Sequence, residues 1–282
     1  MDLENTKCNS KDEIFHNKCK FCGKDLKPIG LDYLYANMPL SSIEYERCDC
    51  KQSKDYWEEI DLKEEKQKKR KQFKQMIRQF YIQNYSSNRI QDYQFENFIT
   101  TENNKKEVEI AKDFTKKCIN KNQKNGLIIT GKSGEGKTHL ATAILNKLTE
   151  KDILVLMGRL ILLLDVIKDT FKDFSSREKD IIELYSKVDM LIIDDLGTER
   201  ISSWALEKLY TIIENRNENK LPIIVTTRFN KESLLDRFCQ SEDEELSEVV
   251  IQKLYQFCYG IELKKYDQNA KEKVSISDQT KY

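Results

Sequence analysis

GLIITGKSGEGKTHLATAI, residues 126–144, decides the fold. Its opening run, Leu127–Thr130, is short, apolar and β-branched, as a strand buried on both faces should be. The chain then turns abruptly into Gly131-Lys132-Ser133-Gly134-Glu135-Gly136-Lys137-Thr138, which fits the spacing G-x-x-x-x-G-K-[ST]. Glycines at these places let consecutive backbone N–H groups turn inward around phosphate oxygens without Cβ clashes. The helix that begins near Thr138 points its positive end at the same anion. Lys137 can reach the β- and γ-phosphates, and the Thr138 hydroxyl can ligate Mg²⁺. The stretch reads as a cradle for a nucleoside triphosphate. The plainer alternative is a glycine-rich turn between a strand and a helix.

Outward from the cradle, strand-like and helix-like segments alternate. Further strands are expected at Ile153–Met157, Met190–Asp194, Ile223–Thr227 and Ile261–Leu263. Helical spacing fills the gaps at Glu107–Asn120, Thr138–Leu148, Leu160–Phe171, Ile181–Tyr185 and Trp204–Asn215. Such alternation argues an α/β fold, a parallel five-stranded sheet flanked by helices. VDMLIIDDLG, residues 188–197, ends a strand in paired aspartates, at the sheet edge where ligands bind. There Asp194 would hold Mg²⁺ and Asp195 would orient or deprotonate an attacking water. Two aspartates capping a turn is the bland reading. The acidic run Glu242–Glu248 is expected to be a solvated loop.

The chain has 282 residues, with 48 basic and 48 acidic side chains, so no global field points to a nucleic-acid or membrane partner. Its longest apolar run, around Leu160–Leu164, is too short to span a bilayer, and residues 1–18 lack a secretion pattern. A soluble, cytoplasmic chain is expected, its eight cysteines reduced or metal-bound rather than paired.

Five of those cysteines fall in residues 8–50. Cys19-x-x-Cys22 and Cys48-x-Cys50 are two close pairs able to bring four thiolates around one tetrahedral Zn²⁺, and Gly23 suits the turn after the first. So small a segment lacks the core to fold alone, and a metal would supply the missing stability. Free thiols or a redox pair are the alternatives, and His16 or Cys8 could replace a ligand. KEEKQKKRKQFKQMIRQFY, residues 63–81, follows with eight basic and two acidic side chains. Phe73, Met76, Ile77, Phe80 and Tyr81 share one helical face. The basic face could bind single-stranded DNA, with Tyr81 and Tyr85 as stacking surfaces. Alternatively this is a solvated helix whose apolar stripe packs on the larger domain. The organisation expected is a zinc-binding domain at 1–60, a basic helical linker at 61–94, the phosphate-binding domain at 95–266 and a polar tail at 267–282.

YQFENF (93–98), KNGLIITGKSGEGKTHLATAI (124–144), VDMLIIDDLGTE (188–199), WALEKLYTIIENR (204–216) and LPIIVTTRFN (221–230) together resemble the AAA+ helicase loaders of the DnaC/DnaI type and the related IstB transposition ATPases. The likeness runs from about Phe95 to Lys264. It implies an AAA+ core using ATP and Mg²⁺, with residues 131–139 contacting nucleotide. His139 belongs to the same loop motif and would pack the helix start. Thr226-Thr227-Arg228 would sense the γ-phosphate, with Arg228 standing where the family usually has asparagine. Arginine there acts as a charge rather than a water-positioning amide.

The family's E-R-I-x-S-R-L-like stretch, whose arginines reach nucleotide at subunit junctions, corresponds to Glu248–Leu254. Here its first arginine is replaced by Val249 and its second by Lys253. Arg216 or Arg237 could substitute, though an ordinary surface ion pair is the expectation for each. The resemblance implies ATP-dependent loading of a hexameric replicative DNA helicase onto single-stranded DNA, with self-association on the helicase. The cysteine-rich module would touch the helicase. Two rivals are an IstB-like transposition helper, which generally lacks the cysteines, and an adaptor that binds nucleotide with little hydrolysis.

Overall fold

The computed structural model describes residues 18–27, 29, 45–84, 92–169, 177–240 and 243–264. The chain divides into two compact units, 1–72 and 73–282. In the first, two short loops carrying the cysteine pairs precede helix α1 (Lys51–Asn84). This helix begins well before the basic run read as helical and continues into the second unit.

The second unit alternates α2 (Lys105–Ile119), β1 (Gly126–Thr130), α3 (Lys137–Thr149), β2 (Val155–Arg159), α4 (Leu160–Asp169), α5 (Arg177–Lys187), β3 (Met190–Asp194), α6 (Ser203–Glu218), β4 (Ile223–Thr227), α7 (Lys231–Phe238), α8 (Glu244–Phe257) and β5 (Cys258–Glu262). The five strands pair in parallel, in the order β2-β3-β4-β1-β5. Insertion of β4 between β1 and β3 is what builds the site. It sets the C-terminal end of β4 between the loop after β1 and the aspartates ending β3.

Strand side chains alternate between two cores, as the pleat requires. Leu127, Ile129, Met190, Ile192 and Ile224 face α2 and α3, packing on Val108, Phe114, Leu140 and Ile144. Ile128, Leu191, Ile193, Ile223 and Val225 face the remaining helices, against Leu163, Leu206, Leu209 and Leu254. The second half of α1 joins this side, with Phe73 and Phe80 buried. Gly158 is the notch that admits it, because a Cβ there would lie 2.9 Å from the Phe80 ring.

β3 and β4 fall where the sequence places them. β5 begins three residues before the expected window, since Cys258–Gly260 pair with Gly126–Ile128. Tyr259 and Gly260 sit exposed on this edge strand, so no continuous apolar run marks it. The acidic run expected as a loop instead opens α8. Asp243 accepts the Leu246 N–H at 2.9 Å, and Glu244 and Glu245 fill the first turn. Carboxylates in that position stabilise a helix N-terminus rather than prevent one. Helix α7 escaped the sequence reading; Asn230 caps it by accepting from the Ser233 N–H at 2.9 Å. The tail, Tyr85, His16 and Cys8 lie outside the described residues.

Candidate functional site

At the C-terminal edge of the sheet, an open cleft of about 390 Å³ is lined by Tyr93, Ser133, Gly134, Gly136, Lys137, Thr138, His139, Asp195 and Arg228. Gly136 is the residue before α3 and has φ 92, in the left-handed region, with no side chain capping the helix. A Cβ there would also press on the Phe98 ring at 3.0 Å. Glycine thus leaves the first N–H groups of α3 unclaimed and turned toward the cleft, a ready anion site.

Lys137 is almost buried, at 8 % exposure, and its Nζ donates to the Lys132 carbonyl at 2.8 Å. Burial lowers its pKa, against the opposing pull of the Asp195, Glu135 and Asp194 carboxylates. A lysine carried to a carbonyl of its own loop is poised for a stronger acceptor, and phosphate oxygens are one. Glu135 accepts the Lys132 backbone N–H and so braces the front of the loop. Gly131, Lys132 and Glu135, expected to contact nucleotide, do not form the cleft wall; they shape the turn behind it.

The Thr138 hydroxyl donates toward both Asp194 oxygens, at 3.0 and 3.1 Å. Thr226 donates to the same carboxylate at 2.6 Å, and its Oγ1 accepts the Asp195 N–H at 2.8 Å. One hydroxyl from the inserted strand therefore ties both aspartates together. Burial raises the Asp194 pKa; the two threonine hydroxyls oppose this and Asp195 adds to it. Asp195 has φ 57, a left-handed conformation that aspartate tolerates better than most side chains, and its carboxylate lines the cleft. A hydroxyl and a carboxylate side by side form the all-oxygen donor set that suits Mg²⁺.

The Thr226-Thr227-Arg228 group divides. Thr226 holds the aspartates, Thr227 donates to the Leu196 carbonyl at 2.7 Å, and Arg228 is exposed in the cleft. His139 Nε2 donates to the Gln94 carbonyl and Asn97 Oδ1, 3.1 and 3.0 Å away, and the ring stacks on Tyr93 with centroids 4.5 Å apart. It joins the 93–98 segment to the start of α3. Tyr93 lines the cleft as well, and its place at the start of YQFENF is the one mark of it in the sequence.

The candidate arginines are engaged within the chain, and neither is the surface ion pair expected. Arg216 is fully buried, with Nη1 donating to the Tyr185 and Val188 carbonyls at 2.8 and 2.9 Å and Nη2 to Pro222 at 2.6 Å. It satisfies the carbonyls that α5 leaves open at its C-terminal end. Arg237 donates to the Gly197 and Thr198 carbonyls and lies 4.8 Å from the Phe229 ring centroid. Lys253, which stands where the family has its second arginine, pairs with Glu214.

In the first unit, Cys19, Cys22, Cys48 and Cys50 converge, all four Sγ atoms lying within 4.8 Å of one another. Cys19 and Cys50 are 3.8 Å apart, and Cys22 and Cys48 are 3.5 Å apart. Tetrahedral thiolates at about 2.3 Å from a zinc ion would be spaced about 3.8 Å, so the cluster fits that ion. The first loop closes through Cys19 N–H on the Lys24 carbonyl at 2.7 Å and Gly23 N–H on the Cys19 carbonyl at 2.9 Å. Cys118, Cys239 and Cys258 take no part in the cluster.

A family model described as "IstB-like ATP binding protein" matches residues 27–275. The replicative helicase loader DnaC of Escherichia coli K12 is 33 % identical over 107 residues, 38 % of this chain and 44 % of that protein. The replicative helicase loader DnaI of Bacillus subtilis is 28 % identical over 138 residues, 49 % of this chain and 44 % of that protein. The matched region thus spans less than half the length of either relative. Among solved structures, the DnaC helicase loader is similar with TM-score 0.53 at 22 % identity, covering 63 % of this chain and all of that one. AMPPCP-bound DnaA from Aquifex aeolicus is similar with TM-score 0.53 at 18 % identity, covering 66 % of this chain and 56 % of that one. These likenesses identify the sheet and its helices as an AAA+ fold. With most of its length matched by one family model, the chain belongs to the IstB-like ATP binding protein family.

Proposed function

We propose that the protein is an ATP-controlled loader that binds a hexameric replicative helicase and delivers it onto single-stranded DNA. The observation that carries this reading is the joining of the phosphate loop to the paired aspartates through Thr226, in a chain similar to the helicase loaders DnaC and DnaI. The ATP phosphates lie against the N–H groups opening α3. Lys137 exchanges the Lys132 carbonyl for phosphate oxygens. Thr138 and Asp194 would hold Mg²⁺, which would supply charge neutralisation at the phosphates. Asp195 orients the attacking water, and Arg228 answers the γ-phosphate as a charge. ATP then acts as a switch on protein contacts, since loss of the γ-phosphate removes the ligand of one end of this linked group.

Hydrolysis by the isolated chain is slow in this account. Arg216 and Arg237 are held by backbone carbonyls and Lys253 by Glu214, so none of these stands free to complete a neighbour's site. The same observation supports a second reading, a nucleotide-dependent adaptor with little turnover. Cys19, Cys22, Cys48 and Cys50 would hold Zn²⁺, which would stiffen the first unit as a helicase-contacting surface. The test is helicase capture by the full chain in ATP and in ADP, with transfer of the captured hexamer to single-stranded DNA as the readout. Nucleotide-dependent transfer supports a loader; capture without transfer supports the adaptor; transposase capture in its place supports the IstB-type helper.

A further inference from the structure

The aromatic residues of the first unit are not its core. Among the described residues of 1–72, the buried side chains are Cys19, Cys48 and Ser53. Phe21 stays exposed at 36 %, and Tyr56 and Trp57 are half-buried. These rings adjoin one another, with Phe21 to Tyr56 at 5.5 Å between centroids and Tyr56 to Trp57 at 5.3 Å. Cations lie against them. Lys20 Nζ is 3.5 Å from the Tyr56 centroid and 5.1 Å from that of Phe21, and the Arg47 guanidinium is 4.4 Å from the Trp57 ring. Asp61 fixes Arg47 through both nitrogens. Lys20 makes no carboxylate pair among the described residues, and Lys27, Lys51 and Lys54 are exposed in the same unit.

We infer that this face binds single-stranded nucleic acid, its rings stacking on unpaired bases and Lys20 engaging the phosphate backbone. Rings left half out of a core and interleaved with ammonium groups match what a flexible strand offers, apolar base faces alternating with anions. A duplex hides its base faces within the stack and cannot use the rings. The inference goes beyond the loader reading, because it needs neither ATP nor the helicase.

The test is titration of the full chain with a short fluorescein-labelled oligothymidylate, with Trp57 emission followed in a Trp204→Phe background. Binding should quench Trp57. Phe21→Ala and Tyr56→Ala should each weaken affinity roughly tenfold, while Tyr56→Phe and Phe21→Tyr, which keep the rings, should retain it. Lys20→Ala should lower the salt slope by about 0.7. Zinc content and ATP affinity, read on the same samples, should be unchanged, which separates this face from the nucleotide cradle. The inference is overturned if the alanine variants bind as tightly as the parent, or if the ring-keeping variants lose as much as alanine. It is also overturned if helicase capture falls while oligonucleotide affinity holds, which would mark the face as a protein dock.

Discussion

Replacing Arg216 with methionine should destabilise the second unit without touching its affinity for nucleotide. The guanidinium donates three bonds, at 2.8, 2.9 and 2.6 Å, to carbonyls of Tyr185, Val188 and Pro222. Methionine keeps most of the apolar stem but leaves these acceptors without a donor, each costing about 1–3 kcal/mol. Removing the fully buried cation recovers part of that sum, because its desolvation penalty of several kcal/mol disappears. The net expectation is a loss of about 3 kcal/mol, against roughly 5–15 kcal/mol for a whole domain. Urea unfolding followed by Trp204, on the same helix, would report a midpoint lowered by roughly 1.5 M. Lysine, able to replace one or two of the bonds, should fall between. The reasoning is refuted if methionine shifts the midpoint by less than about a third of this. It fails equally if stability holds while ATP turnover collapses, since Arg216 would then be reaching nucleotide rather than capping α5.

Asp195→Asn should bind ATP as the parent does and turn it over more slowly, because water activation is lost while Asp194 and Thr138 remain; collapsed binding would make Asp195 a metal or structural residue. Purified protein should carry close to one Zn²⁺ per chain by metal analysis, and Cys19→Ser or Cys50→Ser should release it; freshly reduced protein without zinc would favour free thiols. Wild-type protein should also lose the ion as pH falls, since protons compete for the thiolates. A chain beginning at Asp92 should be less stable than one beginning at Phe73, because Phe80 fills the Gly158 notch and Tyr81 Oη accepts the Met157 N–H at 2.9 Å. Phe80→Ala in the full chain should cost about 3–5 kcal/mol, and equal thermal midpoints would place the end of α1 outside the core.

The sequence exposed those features that one residue type or spacing enforces. A strand buried on both faces is an unbroken β-branched run, so β3 and β4 could be read to the residue. A phosphate loop needs glycines at fixed intervals, so the turn around Gly136 was visible too. The four cysteines likewise come together as their spacing predicts, because two tight loops leave the thiols few other places. What stayed hidden depends on partners distant in sequence. Arg216 looks like any arginine near a helix end until α5 delivers open carbonyls beside it. Thr226 becomes the tie between the aspartates only because β4 is inserted between β1 and β3. The start of β5 is concealed because an edge strand need not be apolar. The acidic run that opens α8 is hidden because a row of carboxylates suits a solvated loop and a helix N-terminus alike, and only its place at the start of the helix tells them apart.

Equilibrium titration of the full chain with Mg²⁺·ATP, comparing wild type with Lys137→Ala, tests the central claim most directly. Lys137 is the loop's inward lysine, nearly buried and bonded to the Lys132 carbonyl. Its removal takes away a charge-assisted contact worth about 1.5–3 kcal/mol and leaves the fold's strands untouched. The account predicts that affinity falls by at least roughly tenfold while zinc content and urea midpoint stay close to wild type. Unchanged ATP affinity in a folded Lys137→Ala protein would contradict it, and with it the assignment of residues 131–138 as the nucleotide switch.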